Sequence, residues 1–259
     1  MTNTKMEIWG GVESTVNRVN DNYIDQQKKS GHDKRLSDLD ILAELGIKRI
    51  RYPILWERIA PRSLHDIDWS WSDERLHKLC KLNITPIAGL VHHGSGPKYT
   101  NLLDEEFPYK LAQYASQVAQ RYPWLTYYTP VNEPLTTARF SCLYALWYPH
   151  KKNNSRAFVR ALISQYKGIV LAMEAIRKIN PDAKLIQTED LGKVYSIPEL
   201  REQAAFDNER RWLTYDILSG KVTKEHPMWK YLTDNGVNET ELNFFIEHKT
   251  NPDIIGIIS

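Results

Sequence analysis

Apolar and polar residues alternate along this chain with two different periods. Short apolar or β-prone runs predict six buried strands, and the leucine-rich stretches between them have the spacing of amphipathic helices. The predicted strands cover residues 7–13, 48–54, 85–92, 125–133, 184–189 and 253–259. The predicted helices cover residues 33–45, 72–83, 105–122, 156–179, 199–218, 227–233 and 239–248.

Two connections follow neither period. The polar segment 14–25 is predicted to be irregular, and the aromatic-rich segment 135–154 is predicted to be a long loop. The aromatic residues of that loop either wall an outer ligand subsite or cover the rim of the sheet. Ser72 is predicted to cap the helix that begins near it, because a serine hydroxyl can accept a hydrogen bond from the first helical N–H groups.

Strands that alternate strictly with helices imply a parallel sheet. No GxGxxG or GxxxxGK turn follows a predicted strand, which argues against a dinucleotide-binding doubly wound sheet. A (β/α)8 TIM barrel builds its active site where its strands end. Polar residues gather at those ends here, namely Glu13, Arg51, His92, Asn132, Glu133, Glu189 and Asp190. We therefore predict an α/β fold of the TIM-barrel type.

The number of strands departs from that fold. A closed barrel of this type has eight strands, whereas the sequence predicts six and ends inside the sixth. We expect one barrel domain over residues 1–259, truncated after about six strands and incomplete at its C-terminal side.

Composition narrows the class of protein. Lys and Arg total 34 and Asp and Glu total 32, evenly mixed, for a formal net charge of +2. Without a basic block, or an apolar run of ~20 residues, the chain is expected to bind neither nucleic acid nor a membrane. The two cysteines lie in unrelated contexts, and no secretory signal is evident, so we expect a cytoplasmic protein.

Five short motifs stand out in order along the chain. They are Trp9-Gly10 with Asn17, Arg51-Tyr52-Pro53-Ile54-Leu55-Trp56-Glu57-Arg58-Ile59, Leu90-Val91-His92-His93, Thr129-Pro130-Val131-Asn132-Glu133-Pro134 and Asp253-Ile254-Ile255-Gly256-Ile257. Together they resemble family 1 glycoside hydrolases, the β-glucosidase type within the Asn-Glu-Pro clan. Asn17 stands where that family usually has Gln, and His93 stands where a Trp is customary.

Three of these regions are more similar to a divergent branch of the family. Segments 10–17, 92–97 and 132–140 resemble proteins in which the barrel is often joined to a sugar-nucleotide reductase of the dehydrorhamnose-reductase type. A fused or associated reductase is therefore an expected partner in relatives.

The resemblance implies retaining hydrolysis of β-glycosides by two carboxyl groups ~5–5.5 Å apart. Glu133 would be the general acid and later the general base, with a pKa raised by burial and by the nucleophile's charge. Asn132 would bind the sugar 2-hydroxyl, and His92 would bind another hydroxyl unless it is a core histidine bonded to backbone. Arg51 would keep the nucleophile ionised, or else form a buried ion pair with Glu13.

The remaining predictions concern the ligand. Asn17 and Glu13 would contact the same small carbohydrate or glycoside. No cofactor or metal is expected, because His92 and His93, as adjacent strand residues, should face opposite sides and no HExxH motif is present.

This interpretation does not account for the second carboxylate of the pair. In the family it is a Glu on the seventh strand, which this sequence does not reach, and strands four and seven face each other across the pocket. That geometry argues against Glu189 or Asp190 as a replacement. We expect an acid/base half-site that is inactive or weakly active alone. The alternatives are a non-catalytic sugar-binding or scaffolding module in polysaccharide or sugar-nucleotide biosynthesis, and a poorly folded product with exposed sheet edges.

Overall fold

The structure, a computed structural model, describes residues 6–258. Its strands are β1 (Trp9–Gly11), β2 (Val16–Val19), β3 (Asn22–Asp25), β4 (Arg49–Pro53), β5 (Thr85–His92), β6 (Tyr127–Asn132), β7 (Lys184–Asp190) and β8 (Ile254–Ile258). Its helices are α1 (Gln26–Ser30), α2 (Asp38–Glu44), α3 (Trp56–Ile59), α4 (Ser70–Lys81), α5 (Phe107–Arg121), α6 (Pro134–Cys142), α7 (Ser155–Arg177), α8 (Arg201–Arg211), α9 (Leu213–Leu218), α10 (Trp229–Asp234) and α11 (Glu239–Glu247), with a 3-10 turn at Pro198–Leu200.

Six strands form one parallel sheet in the order β1-β4-β5-β6-β7-β8. The sheet curls into part of a barrel, and β1 and β8 are its two edges. This confirms the predicted barrel-type fold with six strands. All six carboxyl ends lie at one rim, which is where residues following the strands can meet.

The outer face of the sheet is covered mainly by α5 and α7. Residues Phe107, Leu111, Tyr114, Ala115 and Val118 of α5 recur at helical spacing and are all buried. Gly168 of α7 lets the two helices approach closely, since a Cβ there would lie 3.0 Å from Leu111 Cδ2. Trp56 packs in the same core, stacked on the Tyr114 ring with a centroid distance of 6.0 Å.

The segment predicted to be irregular holds an antiparallel hairpin instead. Strands β2 and β3 pair around Asn20 and Asp21, whose φ angles are 47° and 63°. A two-residue hairpin turn with both residues in the left-handed region suits Asn and Asp. The Asn-Asp dipeptide between two Val- and Tyr-containing runs was therefore the missed signal.

Three further sequence predictions were wrong in part. Residues 134–142, assigned to a loop, form α6, and the helix predicted over 33–45 is confined to α2, after a turn. Ser72 lies inside α4 and its hydroxyl contacts Tyr122 at 2.8 Å, while the Asp68 carboxylate accepts from Ser70 N at 2.9 Å. Asp68 precedes the first turn of α4, so its carboxylate, and not the Ser72 hydroxyl, accepts from a first-turn N–H group.

Across residues 6–258, no helix combines the length and the apolar character that crossing a bilayer requires.

Two buried tyrosines provide a matched test of this core. The Tyr114 hydroxyl donates to the Ile54 carbonyl at 2.7 Å, so Tyr114→Phe should lower the free energy of unfolding by about 1–3 kcal/mol. The Tyr128 hydroxyl is buried without a partner among residues 6–258, so Tyr128→Phe should be neutral or stabilising. Urea unfolding of both variants measures the difference, and equal losses of stability would contradict this packing.

Candidate active site

The carboxyl ends of three neighbouring strands bring the predicted site residues together. Arg51 lies on β4, His92 ends β5 and Asn132 ends β6. The β5–β6 register pairs His92 directly with Asn132, so their side chains share one face of the sheet. Glu133 follows as the first residue beyond β6.

Asn132 is the centre of this cluster and is only 1% exposed. Its Oδ1 atom accepts hydrogen bonds from Arg51 Nη1 and from Thr188 Oγ1, the latter at 2.8 Å. Its Nδ2 atom faces three acceptors, which are Glu133 Oε1 at 3.2 Å, His92 Nε2 at 3.3 Å and His93 Nε2 at 3.3 Å. An amide nitrogen carries two hydrogens, so these three contacts compete for them.

Glu133 sits at a sharp turn between strand and helix. Its backbone is left-handed, with φ 45° and ψ 62°, and Pro134 starts α6 immediately after it. The residue is 8% exposed. Burial raises the pKa of its carboxyl above the usual 4.5, while the Asn132 hydrogen bond and the Arg51 charge lower it and Asp190 raises it. A carboxyl that keeps its proton to higher pH suits a general acid.

His93 is a site residue that the sequence argument missed. The prediction that His92 and His93 face opposite sides was wrong, because β5 ends at His92 and His93 turns with φ 54°. The two ring centroids are 5.0 Å apart, and His93 Nε2 lies 3.7 Å from Glu133 Oε1. The signal available in the sequence was the glycine-containing stretch Gly94-Ser95-Gly96 that follows, since glycines of this kind mark the end of a strand.

Both histidines are held in the neutral form. Burial lowers the pKa of His93 to about 4, and burial together with the charges of His93 and Arg51 lowers the pKa of His92 well below 6.5. A neutral ring can accept from Asn132 at Nε2 when its proton is on Nδ1. In His93 that Nδ1 then donates to Thr137 Oγ1 at 3.1 Å.

Arg51 and Glu13 do not form the ion pair that the sequence left open, as far as residues 6–258 show. Arg51 binds Asn132 instead; burial lowers its pKa, while Glu133 and Glu13 raise it. Glu13 has a side chain that is 65% exposed, and its Oε1 atom lies 3.9 Å from His92 Nε2. Glu13 therefore borders the cluster on the β1 side.

Asn17 lies on the hairpin, apart from the hydrogen-bonded cluster. It is 9% exposed, and its Oδ1 atom is buried without a partner within residues 6–258. The hairpin crosses closely over the turn after β5, since a Cβ at Gly94 would lie 3.0 Å from the Val16 carbonyl. Asn17 thus has an unused acceptor but no hydrogen bond to Asn132.

The carboxylates at the end of β7 are both engaged. Glu189 is 0% exposed, and its Oε1 atom accepts from Leu135 N at 2.9 Å and from Thr214 Oγ1 at 2.6 Å. Burial raises its pKa to about 8. Asp190 lies between Arg139 at 3.6 Å and Arg211 at 3.2 Å. A protonated, enclosed carboxyl such as Glu189 is a poor nucleophile.

The aromatic segment after α6 reaches the cluster at one residue. The Trp147 ring lies 5.2 Å from the His93 ring, centroid to centroid. Tyr148 stacks under the Arg18 guanidinium at 3.8 Å, and His150 Nε2 accepts from Asn20 N at 3.0 Å. Trp147 therefore borders the site, whereas its neighbours attach the segment to the β2–β3 hairpin.

Within the described residues, no three His, Cys, Asp or Glu side chains are arranged to hold a metal ion. A cavity of about 880 Å³ lies elsewhere, beside the first turns of α5, α7 and α11, and Tyr109, Arg156 and Glu241 are among its lining residues. The Asn132 cluster lies instead where β5 and β6 end, at the carboxyl rim of the sheet.

Comparison with known proteins finds similarity to glycosidases. The model of glycosyl hydrolase family 1 matches residues 5–242. An aryl-phospho-β-D-glucosidase of Bacillus subtilis is 24% identical over 218 residues, covering 77% of this chain and 45% of that protein. A 6-phospho-β-glucosidase of Clostridium longisporum is 24% identical over 161 residues, covering 57% of this chain and 33% of that protein.

Solved structures agree on the fold. A family 1 β-glucosidase of Thermotoga maritima in complex with isofagomine lactam superimposes with a TM-score of 0.77 at 18% identity, covering 87% of this chain and 54% of that one. The chain thus spans about half the length of these relatives, or less. Because the family model extends over nearly all of its residues, this chain belongs to glycosyl hydrolase family 1.

Proposed function

We propose that this chain carries the acid/base half of a retaining β-glycosidase site, with Glu133 as the proton donor. One observation carries the proposal: a buried carboxyl with a raised pKa directly follows β6 and receives a hydrogen bond from the neighbouring amide of Asn132. Its position at the carboxyl rim of a barrel-type sheet supports the same role.

The chemistry would begin with proton transfer from Glu133 to the glycosidic oxygen. The leaving group departs as its bond to the anomeric carbon breaks, and a carboxylate forms a new bond to that carbon. Glu133, now ionised, would then take a proton from water as the water displaces that carboxylate. Both roles need the same group to hold a proton at first and to accept one afterwards.

The neighbouring side chains would bind the sugar. The three contacts of Asn132 Nδ2 are long, at 3.2–3.3 Å, so a sugar 2-hydroxyl could replace one of them. Neutral His92 and His93 would accept hydrogen bonds from hydroxyl groups. Arg51 would sit beside the attacking carboxylate, and Glu13 and Asn17 would contact the sugar from the β1 side.

The attacking carboxylate would be a Glu on a seventh strand, which the sheet formed by residues 6–258 does not contain. That same observation favours one second candidate. Without an attacking carboxylate the cluster would bind a sugar without cleaving it, as a scaffolding module in polysaccharide or sugar-nucleotide biosynthesis, with a reductase as partner.

Azide added to the reaction should take the place of the second carboxylate as the nucleophile. It would attack the anomeric carbon of phenyl β-glucoside opposite the leaving group, forming a carbon–nitrogen bond while the Glu133 proton passes to the departing phenol oxygen. The products are α-glucosyl azide and phenol. In Glu133→Gln the azide-dependent rate should fall ~10²–10⁴-fold, since general-acid catalysis is lost. Phenol release measures the rate, and NMR of the products identifies the α-glucosyl azide.

The 2,4-dinitrophenyl glucoside is the matched control, because its leaving group departs without a proton. Glu133→Gln should slow this substrate far less, and equal losses for both would contradict the proposed role. Fast phenyl glucoside hydrolysis without azide would place a second carboxylate within the chain. Calorimetric sugar binding that survives Glu133→Gln, with no turnover in either form, would favour the binding module.

The pH dependence should report the Glu133 proton directly. With formate as the added nucleophile, the rate for phenyl β-glucoside should rise as formic acid ionises and then fall as the pH rises through the pKa of Glu133. Because burial raises that pKa, the midpoint should lie above 4.5. A midpoint at or below 4.5, or a falling limb that persists in Glu133→Gln, would overturn this assignment.

A further inference from the structure

Glu133 adopts a backbone conformation that two local effects oppose. A side chain with a Cβ is disfavoured at φ 45° and ψ 62°, and the residue before a proline prefers an extended backbone. Such a conformation persists only when the surrounding structure holds it. The contacts made just after Glu133 are therefore decisive.

Two buried side chains hold the first turn of α6. Glu189 Oε1, from β7, accepts from Leu135 N at 2.9 Å. Gln165 Nε2, from α7, donates to the Pro134 carbonyl at 3.1 Å. Both side chains are 0% exposed, so water does not compete for these contacts. Together they fix the backbone on the C-terminal side of Glu133.

The Glu189 contact has a specific consequence for Glu133. Glu133 occupies the N-cap position of α6, and Leu135 N is one of the first-turn N–H groups that no helical carbonyl can reach. A carboxylate near a helix N-terminus is attracted to such groups. Glu133 nevertheless makes no side-chain cap hydrogen bond, and Leu135 N donates to Glu189 instead.

We propose that Glu189 is a positioning residue: it caps α6 from the neighbouring strand, and so leaves the Glu133 carboxyl directed at Asn132. The inference rests on the proposed role of Glu133, but it concerns where that carboxyl points, which can be measured without turnover.

The surroundings of Glu189 fit this role. Thr214 Oγ1 donates to the same Oε1 atom at 2.6 Å, and Tyr166 OH lies 2.9 Å from that threonine hydroxyl. These contacts hold the Oε1 atom between β7, α7 and α9, while Oε2 is buried without a partner within residues 6–258. Burial also raises the pKa of Glu189 to about 8, so it adds no negative charge beside Glu133 at neutral pH.

A pair of substitutions separates the hydrogen-bond acceptor of Glu189 from its ionisable carboxyl. Glu189→Leu and Glu189→Gln both remove the carboxyl, but only Gln keeps an acceptor for Leu135 N. In Glu189→Leu the Glu133 carboxylate should turn to the exposed N–H groups of α6, which stabilise its charged form. Its pKa should then fall by about one unit, a tenfold change in proton affinity. Glu189→Gln should restore the wild-type value.

The measurement is a carboxyl ¹³C NMR titration of the full chain, with the Glu133 signal assigned through Glu133→Gln. Glu57→Leu is the matched control, since Glu57 is also a buried carboxyl and accepts from Gly96 N at 3.0 Å. The Glu57→Leu substitution should leave the pKa of Glu133 unchanged. Thr214→Val removes only the hydroxyl that orients Glu189 and should shift the Glu133 pKa in the same direction, by less.

An unchanged Glu133 pKa in both Glu189→Leu and Thr214→Val would overturn the proposal, as would an equal fall in Glu189→Leu and Glu189→Gln. If Glu189→Leu does not fold, the Thr214→Val titration decides. Failure of the proposed function would appear instead as absent azide-dependent turnover in a wild-type chain whose Glu133 still titrates above 4.5.

Discussion

The amide of Asn132 connects three strands at the rim of the sheet. Its oxygen binds a guanidinium from β4 and a hydroxyl from β7, and its nitrogen faces the two histidines at the end of β5 and the carboxyl of Glu133. Arg51 can donate hydrogen bonds but cannot accept them. The oxygen of the Asn132 amide must therefore face Arg51, and the amide nitrogen must face the opposite way. The position of Glu133 in turn depends on where that amide nitrogen points.

Burial sets the protonation states around this amide. It raises the pKa of Glu133 and raises that of Glu189 to about 8, and it lowers that of His93 to about 4. At neutral pH the histidines and Glu189 are therefore uncharged, and Arg51 is the cation beside Glu133. A cation beside a carboxyl whose pKa is raised is consistent with the proposed proton transfer.

Much of the fold could be predicted from sequence because the six strands and the long helices carry strong periodic patterns. The strand at Thr85–His92 was predicted to the residue. The hairpin was missed because its turn depends on Asn20 and Asp21 adopting a left-handed backbone conformation. Helix α6 was missed because a proline such as Pro134 can either end a strand or begin a helix. The motif predicted Asn132 and Glu133, but His93 and Glu189 depend on a backbone turn and on contacts between distant segments, which no local pattern records.

The central claim is that Glu133 is the carboxyl that faces the glycosidic oxygen. A β-glucosylamine carrying a bromoacetyl group on its anomeric nitrogen places a reactive carbon at that position. The carboxylate facing it would form an ester as bromide leaves, and peptide mass spectrometry would locate the bond. We expect labelling at Glu133 that excess glucose suppresses and that Glu133→Gln abolishes. Labelling at Glu13 or Asp190 instead, or at Glu133 without protection by sugar, would contradict it.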